Sequence, residues 1–149
     1  MSQEGKEVTE EKPLVIYVDD SAVARELVSD ALSKLGYQVL TAEHVADLEQ
    51  RLLRDASLTR KVSLFILDFD MPEMTGPQIA AVLEQLHQDL RESPFLIFSA
   101  KDPEEVETGI RQAEDLSFAF VRNYRGFVQK RENSVEGLVD RVRELVPLG

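Results

Sequence analysis

Leu64-Phe65-Ile66-Leu67-Asp68-Phe69-Asp70-Met71-Pro72-Glu73-Met74-Thr75-Gly76 is the stretch that decides the fold. Four apolar residues run without polar alternation into a carboxylate, the pattern of a strand covered on both faces, as in a parallel sheet. The predicted strand, Val62 to Leu67, therefore delivers Asp68 to its carboxyl end. Open α/β sheets bind their ligands beyond that end, so an acid there stands where chemistry is done. Pro72 cannot extend the ladder, Gly76 permits a turn, and Pro77 suits the first turn of a helix.

Working outward, Leu14-Val15-Ile16-Tyr17-Val18 is a second continuous apolar run, and it too ends on acids, Asp19 and Asp20. Ser21 is the expected N-cap of a first helix carrying Val23, Leu27, Val28, Ala31, Leu32 and Leu35 on one face, with Gly36 as its stop. Tyr37 to Leu40 reads as a short strand, and His44 to about Ser57 as a helix carrying Val45, Leu48, Leu52 and Leu53. Beyond the central stretch, Pro77 to about Arg91 makes a third helix with Ile79, Val82, Leu83 and Leu86 inward, and Pro94 to Phe98 a fourth strand ending on Ser99-Ala100. Asp102 and Pro103 open a fourth helix, with Val106, Ile110, Ala113, Phe120 and Tyr124 near a 3.6-residue period and an expected end near Arg122. Gly126-Phe127-Val128-Gln129 is the predicted fifth strand, closing on Lys130; Ser134 caps a last helix with Val135, Leu138, Val139, Val142 and Leu145 inward, ended by Pro147. Strands alternating with helices in this way predict a parallel sheet with right-handed crossovers.

Composition bounds the function. At 149 residues and 43% hydrophobic, the chain supports one domain with a full core, expected over residues 13–149. Residues 1–12 hold four Glu and little to bury, so they read as a loose acidic leader without a signal-peptide core. A formal charge of -11 repels nucleic acid and anionic membranes, while it favours a cationic ligand or basic partner. The absence of cysteine excludes disulfides and thiolate metal sites. No apolar run approaches the roughly 20 residues of a membrane span, and the cytoplasm is the expected compartment.

Asp19, Asp20, Asp68, Ser99 and Lys130 thus collect at one sheet edge, each ending an apolar strand or following one. Clustered carboxylates repel one another unless a cation sits among them, and oxygen ligands with room for water suit Mg²⁺. A hydroxyl and an ammonium facing that cation would bind phosphoryl oxygens, since phosphoryl transfer needs in-line positioning and charge neutralisation. Asp68, on the central strand, is the natural acceptor.

At these residues the chain resembles the receiver domains of two-component response regulators, of the single-domain chemotaxis-regulator kind. The pieces that carry the resemblance are Val18-Asp19-Asp20, Leu67 to Gly76, Phe98-Ser99-Ala100 and Gly126 to Lys130, in the family's order. It implies a flavodoxin-like five-stranded parallel sheet of order 2-1-3-4-5, with helices on both faces. It implies that Asp68 accepts phosphate from a histidine kinase or phosphotransfer protein, with Mg²⁺ held by Asp19, Asp20, Asp68 and the backbone carbonyl of Asp70. Ser99 and Lys130 would contact the phosphoryl oxygens, Phe127 would change rotamer as Ser99 moves, and a downstream protein would dock on the face made by the fourth helix, fifth strand and last helix. A monomer or weak dimer is expected.

Two departures stand out. Arg131 occupies the place where the family has a proline after its lysine, and the interval from Ser99 to Lys130 is about nine residues longer than usual, an extension of the fourth helix by roughly two to three turns. A rival register takes Phe120 to Tyr124 as the fifth strand with Arg122 in the lysine's place; it leaves a tail of about 25 residues unexplained, whereas Lys130 leaves one ordinary helix. Two other functions compete. Asp68-Phe69-Asp70 resembles the opening of haloacid-dehalogenase-type phosphatases, although Pro72 replaces the expected Thr or Val and no cap domain fits. An unphosphorylated receiver-like interaction module is the other. His44 and His87 lie on predicted helices without partnering motifs and read as surface or packing residues.

Overall fold

A computed structural model describes residues 12–55, 57–68, 93–115, 123–131 and 134–148. Five parallel strands form one sheet: β1 (Leu14–Val18), β2 (Gln38–Ala42), β3 (Val62–Leu67), β4 (Phe95–Ser99) and β5 (Tyr124–Gln129), in the spatial order β2-β1-β3-β4-β5. Four helices of ten or more residues are described, α1 (Ala22–Leu35), α2 (Val45–Arg54), α4 (Pro103–Asp115) and α5 (Ser134–Leu145), together with a single turn, α3 (Leu58–Lys61). The order 2-1-3-4-5 implied by the resemblance is the order observed. The predicted helix from Pro77 to Arg91, Asp70, and residues 116–122 of the expected helix extension lie outside the described residues.

The apolar runs produce the two-sided burial expected of them. Leu14, Ile16, Val18, Phe65, Leu67, Phe95 and Ile97 face α2 and α4, where Leu48, Leu52, Val106 and Ile110 close the core. Val15, Tyr17, Leu64, Ile66, Leu96 and Phe98 face the opposite side, against Val28 and Leu32 of α1 and Leu138 and Val142 of α5. At about 1.5 to 3 kcal/mol for each fully buried large apolar side chain, these layers hold the strand ends in place.

The helices depart from the expected stripes in instructive ways. Val23, Leu27 and Leu53, expected inward, are 69%, 54% and 78% exposed, and Leu35 is 39% exposed. A helix lying on a sheet buries a stripe one or two residues wide, here Val28 and Leu32 on α1 and Leu48 and Leu52 on α2, so apolar residues on its flanks stay in water. Ser21 caps α1 by accepting from the Ala24 N–H at 3.1 Å, and Gly36 closes it at φ 110°. His44 is the N-cap of α2, its Nδ1 accepting from the Asp47 N–H at 3.2 Å while the Asp47 carboxylate accepts from the Glu43 N–H at 3.0 Å. A capping role was not anticipated for it, since imidazole is an uncommon cap.

One irregularity sets the phase of β5. Phe95 pairs with Tyr124 and Ile97 with Phe127, so β5 carries one residue more than β4 between those pairs. That bulge lets Tyr124 and Phe127, three apart, pack on the same core face, which strict alternation would forbid. Gly126 sits in it at φ 129°, and a Cβ there would lie 3.0 Å from Nη2 of Arg141, whose guanidinium donates to the Arg125 carbonyl. Gly126→Ala is expected to cost about 1 to 3 kcal/mol in urea unfolding, through backbone strain and displacement of that guanidinium. A midpoint equal to wild type would mean that the bulge tolerates a side chain.

Candidate functional site

The site is assembled by register. Val18 pairs with Leu67, and the Asp68 N–H donates to the Val18 carbonyl at 3.0 Å, so the residues that follow β1 and β3 emerge side by side. Between β1 and β3 the chain's connections diverge, which is the switch point at which open α/β sheets form a crevice. On the next strand pair Ser99 is opposite Gln129, and the Lys130 N–H donates to the Ser99 carbonyl at 2.7 Å, so the strand ladder itself carries Lys130 to the crevice.

Asp19 is fully buried, Asp68 is 5% exposed and Asp20 is exposed. One carboxylate oxygen from each lies within 4.8 Å of the others. Lys130 Nζ bridges two of them, 2.5 Å from Asp19 Oδ2 and 3.7 Å from Asp68 Oδ2, and stands 5.5 Å from the centre of the Phe98 ring. A buried carboxylate is stable only when its oxygens are supplied with donors. Asp19 has them: the Ser21 N–H donates to Oδ1 at 2.9 Å, and the Tyr17 hydroxyl donates to Oδ2 beside the lysine. Arg25 Nη1 donates to the Asp19 carbonyl at 2.6 Å, tying α1 to the same turn. Burial, followed by the carboxylate it faces, pushes the Tyr17 phenol far above its ordinary range, so the hydroxyl is a fixed donor.

Ser99, 1% exposed, has its Oγ accepting from the Lys101 N–H at 3.3 Å. It shares with Ile97, two residues before it, the α4 side of the sheet, the side on which half-buried Phe127 packs. Gln129 Nε2 donates to the Lys101 carbonyl at 3.3 Å, and Arg131 Nη2 donates to Gln129 Oε1 at 2.5 Å, linking the two loops beyond β4 and β5. The Lys130–Arg131 peptide is trans. Asp19, Asp20, Asp68 and Lys130 therefore meet, with Ser99 and Phe127 on the neighbouring strands, while Asp70 lies outside the described residues. The preferred register, Lys130 after the fifth strand, is the one observed. Tyr17 and Arg25 were missed by sequence reasoning; the available sign for Tyr17 was its place two residues before Asp19, on the same face of an extended strand, since a buried phenol seeks a partner.

A profile of the family described as "Response regulator receiver domain" matches residues 15–142. The chain belongs to the response regulator receiver family. Among the receivers it resembles, the two-component response regulator ORR3 of Oryza sativa subsp. japonica is 36% identical over 97 residues, 65% of this chain and 70% of that one. The chemotaxis protein CheY1 of Helicobacter pylori is 43% identical over 63 residues, 42% of this chain and 48% of that one. In fold, this receiver superimposes on the chemotaxis protein CheY4 of Vibrio cholerae with a TM-score of 0.72, at 21% identity, over 91% of this chain and 100% of that one. It also matches the response regulator TrrA of Thermotoga maritima, solved in complex with Mg(2+)-BeF, with a TM-score of 0.64 at 22% identity, over 90% of this chain and 99% of that one. A receiver is a signalling switch. No helix among the described residues is long and apolar enough to cross a membrane.

The donor set fits a hard divalent cation. The clustered ligand atoms Asp19, Asp20 and Asp68 are all carboxylate oxygens, with neither nitrogen nor sulfur among them, and exposed Asp20 leaves a side open for water.

Proposed function

We propose that Asp68 takes a phosphoryl group from a phosphohistidine of a histidine kinase or phosphotransfer protein, and that the phosphorylated receiver changes its affinity for a downstream protein. An Asp68 carboxylate oxygen bonds to phosphorus as the histidine N–P bond breaks, and the imidazole leaves with the electron pair. Asp19, Asp20, Asp68 and the carbonyl of Asp70 would hold Mg²⁺, which supplies charge neutralisation for the transferring group. The Lys130 ammonium stabilises the charge that gathers on the phosphoryl oxygens, and the Ser99 hydroxyl donates to one of them. Drawing Ser99 toward that oxygen frees space on the α4 side of the sheet for Phe127 to turn inward, so the face of α4, β5 and α5 presents a different surface to a partner. The cytoplasm, where such kinases present their phosphohistidines, is the proposed compartment.

The observation that carries this reading is one ammonium within 4 Å of two carboxylates drawn from adjacent strand ends, with a third carboxylate beside them. Acetyl phosphate and Mg²⁺ test it by intact mass. A receiver gains a single phosphoryl adduct and consumes donor only as fast as that adduct decays. Rapid consumption of many equivalents without an adduct would indicate a phosphatase, and a chain inert to the donor would be an unphosphorylated interaction module.

A further inference from the structure

Asp19 Oδ2 accepts from two donors of different kinds, the charged Lys130 and the neutral Tyr17. A divalent cation entering beside Asp19 would repel the ammonium, which must shift toward Asp68 and the phosphoryl oxygens. The phenol carries no charge and need not move. Its ring is fully buried, 6.2 Å from the Phe98 ring, so its hydroxyl is aimed by packing at the carboxylate.

We propose that Tyr17 is a positioning residue for the cation: it holds the Asp19 carboxylate in one orientation while Lys130 is exchanged for Mg²⁺. This rests on the Mg²⁺ site proposed above. A hydrogen bond to a ligating carboxylate fixes the ligand's direction, and loss of such outer partners commonly costs about 10- to 100-fold in metal affinity. Without the hydroxyl, Asp19 Oδ2 depends on Lys130 alone, which strengthens the ion pair that Mg²⁺ has to displace.

Tyr17→Phe keeps the ring and removes the donor. Magnesium chloride titration, read as the rise in urea midpoint with cation concentration, is expected to require about 10-fold more Mg²⁺ for half its effect than wild type. Tyr37→Phe is the control, because that hydroxyl donates to the Val146 carbonyl at 2.6 Å, away from the acids, and its Mg²⁺ dependence should match wild type. A second measurement does not depend on the Phe variant folding. Tyr37→Phe with Tyr124→Phe leaves Tyr17 as the only tyrosine of the chain's three, and its near-ultraviolet band should shift as Mg²⁺ saturates. An unshifted band, or a Tyr17→Phe protein that responds to Mg²⁺ as wild type does, overturns the positioning role and leaves the metal site standing. A wild-type chain whose stability ignores Mg²⁺ removes the metal site itself, and the role of Tyr17 with it.

Discussion

Lys130→Met should both unsettle the fold and stop phosphoryl capture. Without its ammonium, Asp19, which is wholly buried, and Asp68, whose side chain is 7% exposed, lose the cation that bridges them. Removing one partner of a fully buried pair costs about 3 to 5 kcal/mol; the lysine side chain is 22% exposed and Asp19 retains the Tyr17 and Ser21 donors, so about 2 to 3 kcal/mol is expected at neutral pH without Mg²⁺. Magnesium should recover much of that loss, because it neutralises the same acids. With the ammonium facing the oxygens of the transferring group as proposed, the initial rate of labelling by acetyl phosphate should fall by about 100-fold or more. Urea midpoints with and without Mg²⁺, together with that rate, read both effects. A variant as stable and as readily labelled as wild type would show that Lys130 is an ordinary surface lysine.

Asp68→Asn should move stability the other way. The substitution relieves repulsion with two neighbouring carboxylates and gives up the attraction to Lys130, which keeps its closer partner Asp19. At an effective dielectric suited to a partly solvated cleft, the balance is a gain of about 1 to 2 kcal/mol without Mg²⁺. Mg²⁺ should stabilise this variant less than wild type, and no phosphoryl adduct should form. Stability bought by removing a charge that function requires is the usual exchange at active sites. A loss of stability in Asp68→Asn would mean that the attraction to Lys130 outweighs the crowding of acids.

Where burial alone decided the structure, it could be read directly. The runs Leu14 to Val18 and Leu64 to Leu67 are apolar on both faces, so their identity as central strands and the emergence of Asp19 and Asp68 at one edge followed from the residues. The same logic chose Lys130 over Arg122, because only that register left a final helix of ordinary length. Features that depend on which atoms meet across the fold could not be read. Val23, Leu27 and Leu53 satisfy a helical period yet face water, because the width of a buried stripe is set by the sheet beneath it. The bulge at Gly126 is specified jointly by a positive φ and by Arg141, sixteen residues from the carbonyl it clamps. The bond from Tyr17 to Asp19 depends on how the phenol packs beside Phe98 on another strand.

Chemical trapping of the acyl phosphate puts the central claim to its most direct test. Borohydride reduces an aspartyl phosphate to homoserine, so wild-type protein treated with acetyl phosphate and Mg²⁺, reduced and digested, should yield homoserine at position 68 alone. Homoserine at another acid, or an unmodified Asp68 in protein that carries the phosphoryl adduct, would contradict it.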